Sequence, residues 1–175
     1  MGVKRKGCMK KGLKLLIVES PAKIKTISKF LGKDFKIMST FGHIKDLPTK
    51  TLGVEVNNKK ISVEYVPIKD KADVIANICK QAGKSSEIYL ASDPDREGEI
   101  ISWHIGQEIE KVADKSSIFR ITFNEITKSA IEAAIENKDV LSQDKVKAQQ
   151  ARRILDRWVG YEVSPILWKK VAKGL

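Results

Sequence analysis

The chain has 175 residues, of which 42% are hydrophobic, and a formal net charge of +11. This suits one domain with room for part of a second and excludes global disorder. Two cysteines without metal-ligand spacing exclude a structural zinc site on ligand count unless His43 and His104 both join, which nothing in the pattern suggests, and no apolar run approaches the roughly 20 residues of a membrane span.

Leu15 to Glu19 reads as a short buried strand, an apolar run that ends on an acid. Ser20 and Pro21 then open a helix as N-cap and first helical residue, with Ile24, Ile27 and Leu31 on one face and Gly32 as its stop. Phe35 to Thr40 is expected as a second strand and Gly42 to Pro48 as a loop. Val54 to Val56 and Ile61 to Val66 form a hairpin pattern around Asn57-Asn58. Asp70 to Gly83 is an amphipathic helix with Val74, Ile75, Ile78 and Cys79 inward. Ile88 to Ala91 is a strand that leads through an acidic loop into a helix ending near Glu110. Ile118 to Phe123 is a further strand and Thr127 to Asn137 a further helix. This alternation predicts an α/β fold over residues 13–142, a mostly parallel sheet flanked by helices on both faces. Residues 143–175 turn all helical, with Ala151, Ile154, Leu155, Trp158 and Val159 as an apolar stripe.

The charge is unevenly placed. Residues 1–14 carry six cations and no anion, residues 144–175 carry eight cations and three anions, and residues 15–143 are balanced at 19 of each. A polyanion would be drawn to the two ends. A solvated basic tail over residues 1–12 explains the first run equally well. The basic start has no apolar stretch behind it, so it does not read as a signal peptide.

The sharpest signal is Ser92-Asp93-Pro94-Asp95-Arg96-Glu97-Gly98-Glu99. Its acids follow an apolar strand, and ligands of open α/β sheets bind at strand carboxyl ends. Carboxylates this close repel one another, and a hard cation such as Mg²⁺ relieves the repulsion. An acidic helix N-terminus favoured by the helix dipole is the plainer explanation for Glu97 and Glu99. Glu19 is a candidate ligand or general acid and base if its strand end lies at the same edge, and otherwise an ordinary exposed acid. Lys23, in the first turn of the next helix, is placed to meet a phosphate or is simply a solvated lysine.

Five segments in order now carry a resemblance. Leu16-Ile17-Val18-Glu19-Ser20-Pro21-Ala22-Lys23, Phe41-Gly42-His43-Ile44-Lys45-Asp46-Leu47-Pro48 and Asp93-Pro94-Asp95-Arg96-Glu97-Gly98-Glu99 resemble the first two motifs and the toprim acidic motif of type IA DNA topoisomerases. Phe123-Asn124-Glu125-Ile126-Thr127 and Gln149-Gln150-Ala151-Arg152-Arg153-Ile154-Leu155-Asp156-Arg157 continue the match. The second motif is closer to the bacterial topoisomerase I branch than to topoisomerase III or reverse gyrase.

The resemblance implies a toprim (Rossmann-like) domain followed by the start of a helical strand-binding domain. It implies ATP-independent relaxation of negatively supercoiled DNA, by cleavage of one strand through a 5′-phosphotyrosine, strand passage and resealing. Asp93, Asp95 and Glu97 would hold Mg²⁺ with Glu19 close by. Glu19 would protonate the leaving 3′-oxygen and deprotonate it on resealing, and Lys23 would stabilise the phosphate. Arg96 and Arg120 would support the acidic site or contact phosphate, and His43 would serve DNA binding and cleavage. Arg153, Asp156, Arg157 and Tyr161 match the strand-binding helix.

None of Tyr65, Tyr89 and Tyr161 sits in the family's nucleophile context. The chain is therefore expected to be an N-terminal fragment, inactive alone in relaxation and completed by C-terminal domains. It is expected to be a cytoplasmic, nucleoid-associated monomer that engages single-stranded segments of DNA. The competing expectations are another toprim enzyme, a primase or nuclease, and a non-catalytic DNA-binding module.

Overall fold

A computed structural model describes residues 12–57 and 60–171. Most of the basic tail and the turn residue Asn58 thus lie outside the described residues. Four parallel strands form the central sheet: β1 (Lys14–Val18), β2 (Phe35–Ser39), β7 (Ile88–Ala91) and β8 (Ile118–Arg120), in the order β2-β1-β7-β8. Between them the chain forms β3 (Lys45–Asp46), β4 (Val54–Asn57), β5 (Lys60–Val63) and β6 (Val66–Pro67). The helices are α1 (Pro21–Ile27), α2 (Ala72–Ala82), α3 (Arg96–Ile109), α4 (Lys128–Glu136), α5 (Gln143–Trp158) and α6 (Ser164–Lys170).

Alternation along the strands divides the core, because successive side chains leave a strand on opposite faces. Leu15, Ile17, Ile88 and Leu90 meet Ile78 of α2 and Ile105 and Ile109 of α3 on one side. Leu16, Val18, Tyr89 and Ala91 meet Ile27 of α1 and Ile131 of α4 on the other. Both faces are covered, as a parallel sheet requires. From β1 the chain steps outward to β2, then returns past β1 to place β7 on its far side. That reversal puts a topological switch point between the carboxyl ends of β1 and β7, where Val18 pairs with Ala91.

Several boundaries differ from the sequence reading. The first helix ends at Ile27 rather than Gly32, and residues 28–31 close in turns, with the Leu31 and Phe30 N–H groups donating to Ile27 O. The expected loop over residues 42–48 contains β3, which pairs antiparallel with β6. The expected strand from Ile61 to Val66 is therefore split, with Val66 serving a different sheet. The strand from Ile118 stops at Arg120, whose backbone turns to pair with Asp139.

The largest departure is in α5. Of its expected apolar stripe only Ile154 is buried, while Leu155 and Val159 are 61% and 54% exposed. The buried set is Val146, Gln149 and Ile154, because α5 lies against α3 and β3 through polar side chains. A π-helical turn, Val159–Val163, joins α5 to α6. Among the described residues no helix is long and apolar enough to cross a membrane.

Candidate metal and nucleic-acid site at the carboxyl edge of the sheet

The switch point gathers most of the sequence-predicted residues. Glu19 follows β1 and Asp93 lies two residues past β7, the neighbouring strand. Ser20 caps α1 by accepting from the Ala22 N–H at 3.3 Å, which points the start of that helix at the same edge. Lys23, on its first turn, pairs through Nζ with Asp93 Oδ1. Burial raises the Glu19 carboxyl above its usual range, and the charges of Asp93 and Asp95 raise it further against the opposing pull of Lys23 and His43. The same carboxyl thus senses both arms of the acidic loop.

The backbone around Glu19 is anchored from β2. The Ser39 hydroxyl donates to Glu19 O at 2.8 Å and accepts from the Phe41 N–H at 3.0 Å, while the Gly42 N–H donates to Glu19 O at 3.1 Å. Phe41 and Gly42 both turn left-handed, with φ of 55° and 85°. Such a conformation is costly for phenylalanine. Lys71 opposes that cost, donating to Thr40 O at 3.2 Å and to Phe41 O at 2.5 Å. Non-glycine strain of this kind concentrates where a loop must be aimed.

The acidic loop is built as a helix entry. Asp95 is the N-cap of α3, and its Oδ1 accepts from the Gly98 N–H at 2.7 Å. A side chain on Gly98 would overlap the Asp93 carbonyl, so only glycine lets the loop fold back this closely. Arg96, at the first helical position, is exposed. Glu97 is shared: His43 Nε2 lies 2.8 Å from one oxygen and Gln149 Nε2 2.5 Å from the other. Since a carboxylate only accepts, His43 Nε2 carries the proton in that bond.

Arg120, expected either to support the acidic site or to contact phosphate, is a buried brace. It is only 3% exposed, and its Nε donates to Glu99 Oε2 at 2.9 Å. Its Nη1 donates to the carbonyls of Leu90, Ser92 and Ile121 at 3.1, 2.8 and 2.7 Å, and its Nη2 to Asp93 O at 2.7 Å. One guanidinium thus ties the carboxyl end of β7 to β8 and to the first residue of the acidic loop. Glu99 completes its satisfaction by accepting from the Ser142 N–H at 2.6 Å, which anchors the start of α5.

The strand-binding candidates lie along α5 and the π-helical turn after it and are mostly engaged. Arg153 grips Asp46 through Nη2 at 2.7 and 2.6 Å and through Nε at 3.2 Å. Arg157 donates to Pro48 O and stacks 5.2 Å from the Tyr161 ring, and the Tyr161 hydroxyl donates to Thr49 O at 2.9 Å. Asp156 faces solvent beside Arg152 at 3.8 Å. The sequence reading missed Glu99, Gln149 and Asp46 as parts of this assembly. Gln149 and Asp46 lay inside recognised motifs, but neither residue type announces a partner on another element. Glu99 closes the acidic motif, and its place beside the apolar pair Ile100-Ile101 was the further signal that it turns inward.

The site's donors fit a hard divalent cation by chemistry, since Asp93, Asp95, Glu97 and Glu19 all offer carboxylate oxygen. Among the described residues no three potential ligands converge into a ready cage. Mg²⁺ needs none, because it takes one or two carboxylates and completes its shell with water and phosphate oxygens.

These features, a parallel sheet with paired acids at its switch point and an Asp-Pro-Asp-Arg-Glu-Gly-Glu helix entry, define a class. The family model described as Toprim domain matches residues 14–126, and the chain belongs to that family. Among solved structures the chain is similar to full-length topoisomerase I from Thermotoga maritima, at 42% identity and a TM-score of 0.80. The likeness covers 91% of this chain and 27% of that one.

Proposed function

We propose that this chain supplies the metal-binding and phosphate-handling part of an ATP-independent type IA DNA topoisomerase, acting on single-stranded segments of negatively supercoiled DNA. The likeness to a topoisomerase I over 91% of the chain supports the class. One observation carries the chemistry: Glu19 stands at the switch point with its proton affinity raised, next to an Asp93 that is paired with Lys23.

A carboxyl so tuned can deliver a proton to a leaving 3′-oxygen and take it back on resealing. Lys23 offers its ammonium to the phosphate that approaches the start of α1. Asp93, Asp95 and Glu97, with Glu19 alongside, would hold Mg²⁺, which would supply positive charge toward phosphate oxygen and offset the crowding of carboxylates. Arg96 lies at the exposed rim for a phosphate. His43, Arg153 and Arg157 offer hydrogen bonds to the strand, and Tyr161 a ring for a base.

The nucleophile comes from a further domain of the enzyme. The hydroxyls here have other duties: Tyr89 is buried and donates to Glu87 Oε2 at 2.9 Å, and Tyr161 donates to Thr49 O. The Tyr65 hydroxyl meets the Gln150 side chain, and its ring packs edge-on against His104, with ring centroids 4.6 Å apart. The chain works inside the cytoplasm, on nucleoid DNA, as a monomer.

Mn²⁺ titration by calorimetry tests the metal assignment. The wild-type chain is expected to give a binding isotherm that Asp93→Ala with Asp95→Ala abolishes. An isotherm unchanged by the double substitution would refute it. A plasmid incubated with the chain and Mg²⁺ is expected to stay supercoiled, and relaxation by the chain alone would overturn the external nucleophile.

A further inference from the structure

Five side chains close a ring over the acidic edge. Glu97 receives His43 and Gln149, and Asp46, on the same segment as His43, receives Arg153. Gln149 and Arg153 stand one turn apart on α5, so they share a face. The ring roofs a small cleft lined by Lys45, Tyr65, Ile100 and His104. His104 is 1% exposed, and neither ring nitrogen has a hydrogen-bond partner among the described residues. Burial, helped by Lys45 and His43, lowers the His104 pKa to about 3, so this imidazole is neutral.

The pattern of donors and acceptors has a direction. His43, Gln149 and Arg153 are the donors, and each is spent on a protein carboxylate. Glu97 and Asp46 therefore occupy the hydrogen-bonding positions that phosphate oxygens of a bound strand would take. Buried Val146 and Ile154 flank Gln149 and pin α5 to the domain. Exchange of partners thus needs rotation of side chains over a cleft, with little loss of apolar packing.

We infer that Gln149 is a positioning residue that withholds Glu97 from a divalent cation until a DNA strand engages α5. This rests on the proposed function, in which Glu97 is a metal ligand and α5 a strand-binding helix. With no strand bound, a cation must strip Glu97 of its Gln149 hydrogen bond. With phosphates taking Gln149 and Arg153, Glu97 and Asp46 are released, and that cost is already met. Strand and cation then favour each other's binding, and by linkage the coupling is reciprocal.

The test measures Mn²⁺ affinity of the full chain with and without a saturating single-stranded oligodeoxythymidylate, in wild type and Gln149→Leu. Wild type is expected to bind Mn²⁺ about fivefold or more tightly with the oligonucleotide present. Gln149→Leu is expected to bind Mn²⁺ more tightly than wild type without DNA and to show a smaller gain on adding it. Phosphate oxygens ligating the ion directly give a gain that survives the substitution, so the difference between the two gains isolates Gln149. A purely structural Gln149 would weaken Mn²⁺ binding in both conditions.

Asp46→Asn provides an independent variant. It releases Arg153 without touching Gln149, and is expected to tighten oligonucleotide binding and raise hydrogen exchange of the α5 amides without metal. Equal gains in wild type and Gln149→Leu, or weaker Mn²⁺ binding in the variant without DNA, would overturn the inference while leaving the metal site standing. Mn²⁺ binding indifferent to Asp93→Ala and Asp95→Ala would overturn the underlying reading and the inference with it.

Discussion

The carboxyl edge of the sheet and the face of α5 are held by opposite kinds of interaction. At the edge, Arg120 and Glu99 are each sealed from water, with 3% side-chain exposure, and every polar atom of the brace answers a neighbour. Along α5, Arg153 and Asp46 are 51% and 41% exposed. A buried pair is costly to break because removing one partner strands the other, whereas an exposed pair contributes little to stability. The first arrangement keeps the acids in place; the second leaves both partners open to exchange.

The comparison is broken most severely from inside. Arg120→Met leaves Glu99 and several carbonyls unmatched in the interior, and chemical denaturation is expected to register a loss of about 3–5 kcal/mol. A loss below about 1 kcal/mol, the range of surface pairs, would erase the distinction between the two regions. Gly98→Ala forces the acidic loop away from the Asp93 backbone, with an expected cost of about 1–3 kcal/mol and weaker Mn²⁺ binding. Intact metal affinity in a folded Gly98→Ala protein would show that the loop's close return does not matter to the site.

Acid provides a third lever, at the opposite end of β7. Burial alone would raise Glu87, but hydrogen bonds from Lys138, Lys14 and Tyr89 outweigh it and bring its pKa down to about 2. A depressed carboxylate stabilises the fold fully above its unfolded value of 4.5, and that contribution is lost as pH falls towards about 2. Screening keeps the effect to about 1–2 kcal/mol. Denaturation at successive pH values is expected to show this acid-side loss shrink in Glu87→Gln, and an identical pH dependence in both proteins would exclude Glu87 as its source. The smallest stability effect belongs to Arg153→Ala, at about 0.2–1 kcal/mol. Its oligonucleotide affinity is expected to fall clearly, and melting and binding measurements on one preparation separate the two.

Much of this arrangement is legible in the chain itself. The short apolar runs Leu15 to Val18 and Ile88 to Ala91 read as strands covered on both faces, because they are too short for helices and carry no polar face. Ser20-Pro21 marks a helix start through local capping geometry alone. The spacing of acids after Ala91 identifies an anionic edge, and ordered motifs identify a family. These features are local, so neighbours along the chain decide them.

Tertiary structure alone decided the partners. Arg120 looks like any basic residue beside a strand, and only the return of the chain through Asp139 and Ser142 makes it an interior brace. The apolar stripe of α5 suggested an inward face that includes Leu155 and Val159, yet α5 meets the domain through Val146 and Ile154 together with Gln149 and Arg153, whose polar acceptors wait at Glu97 and Asp46. Periodicity identifies which residues share a side of a helix. Which side is turned inward depends on what the rest of the fold presents to it, and that is set by residues more than fifty positions away.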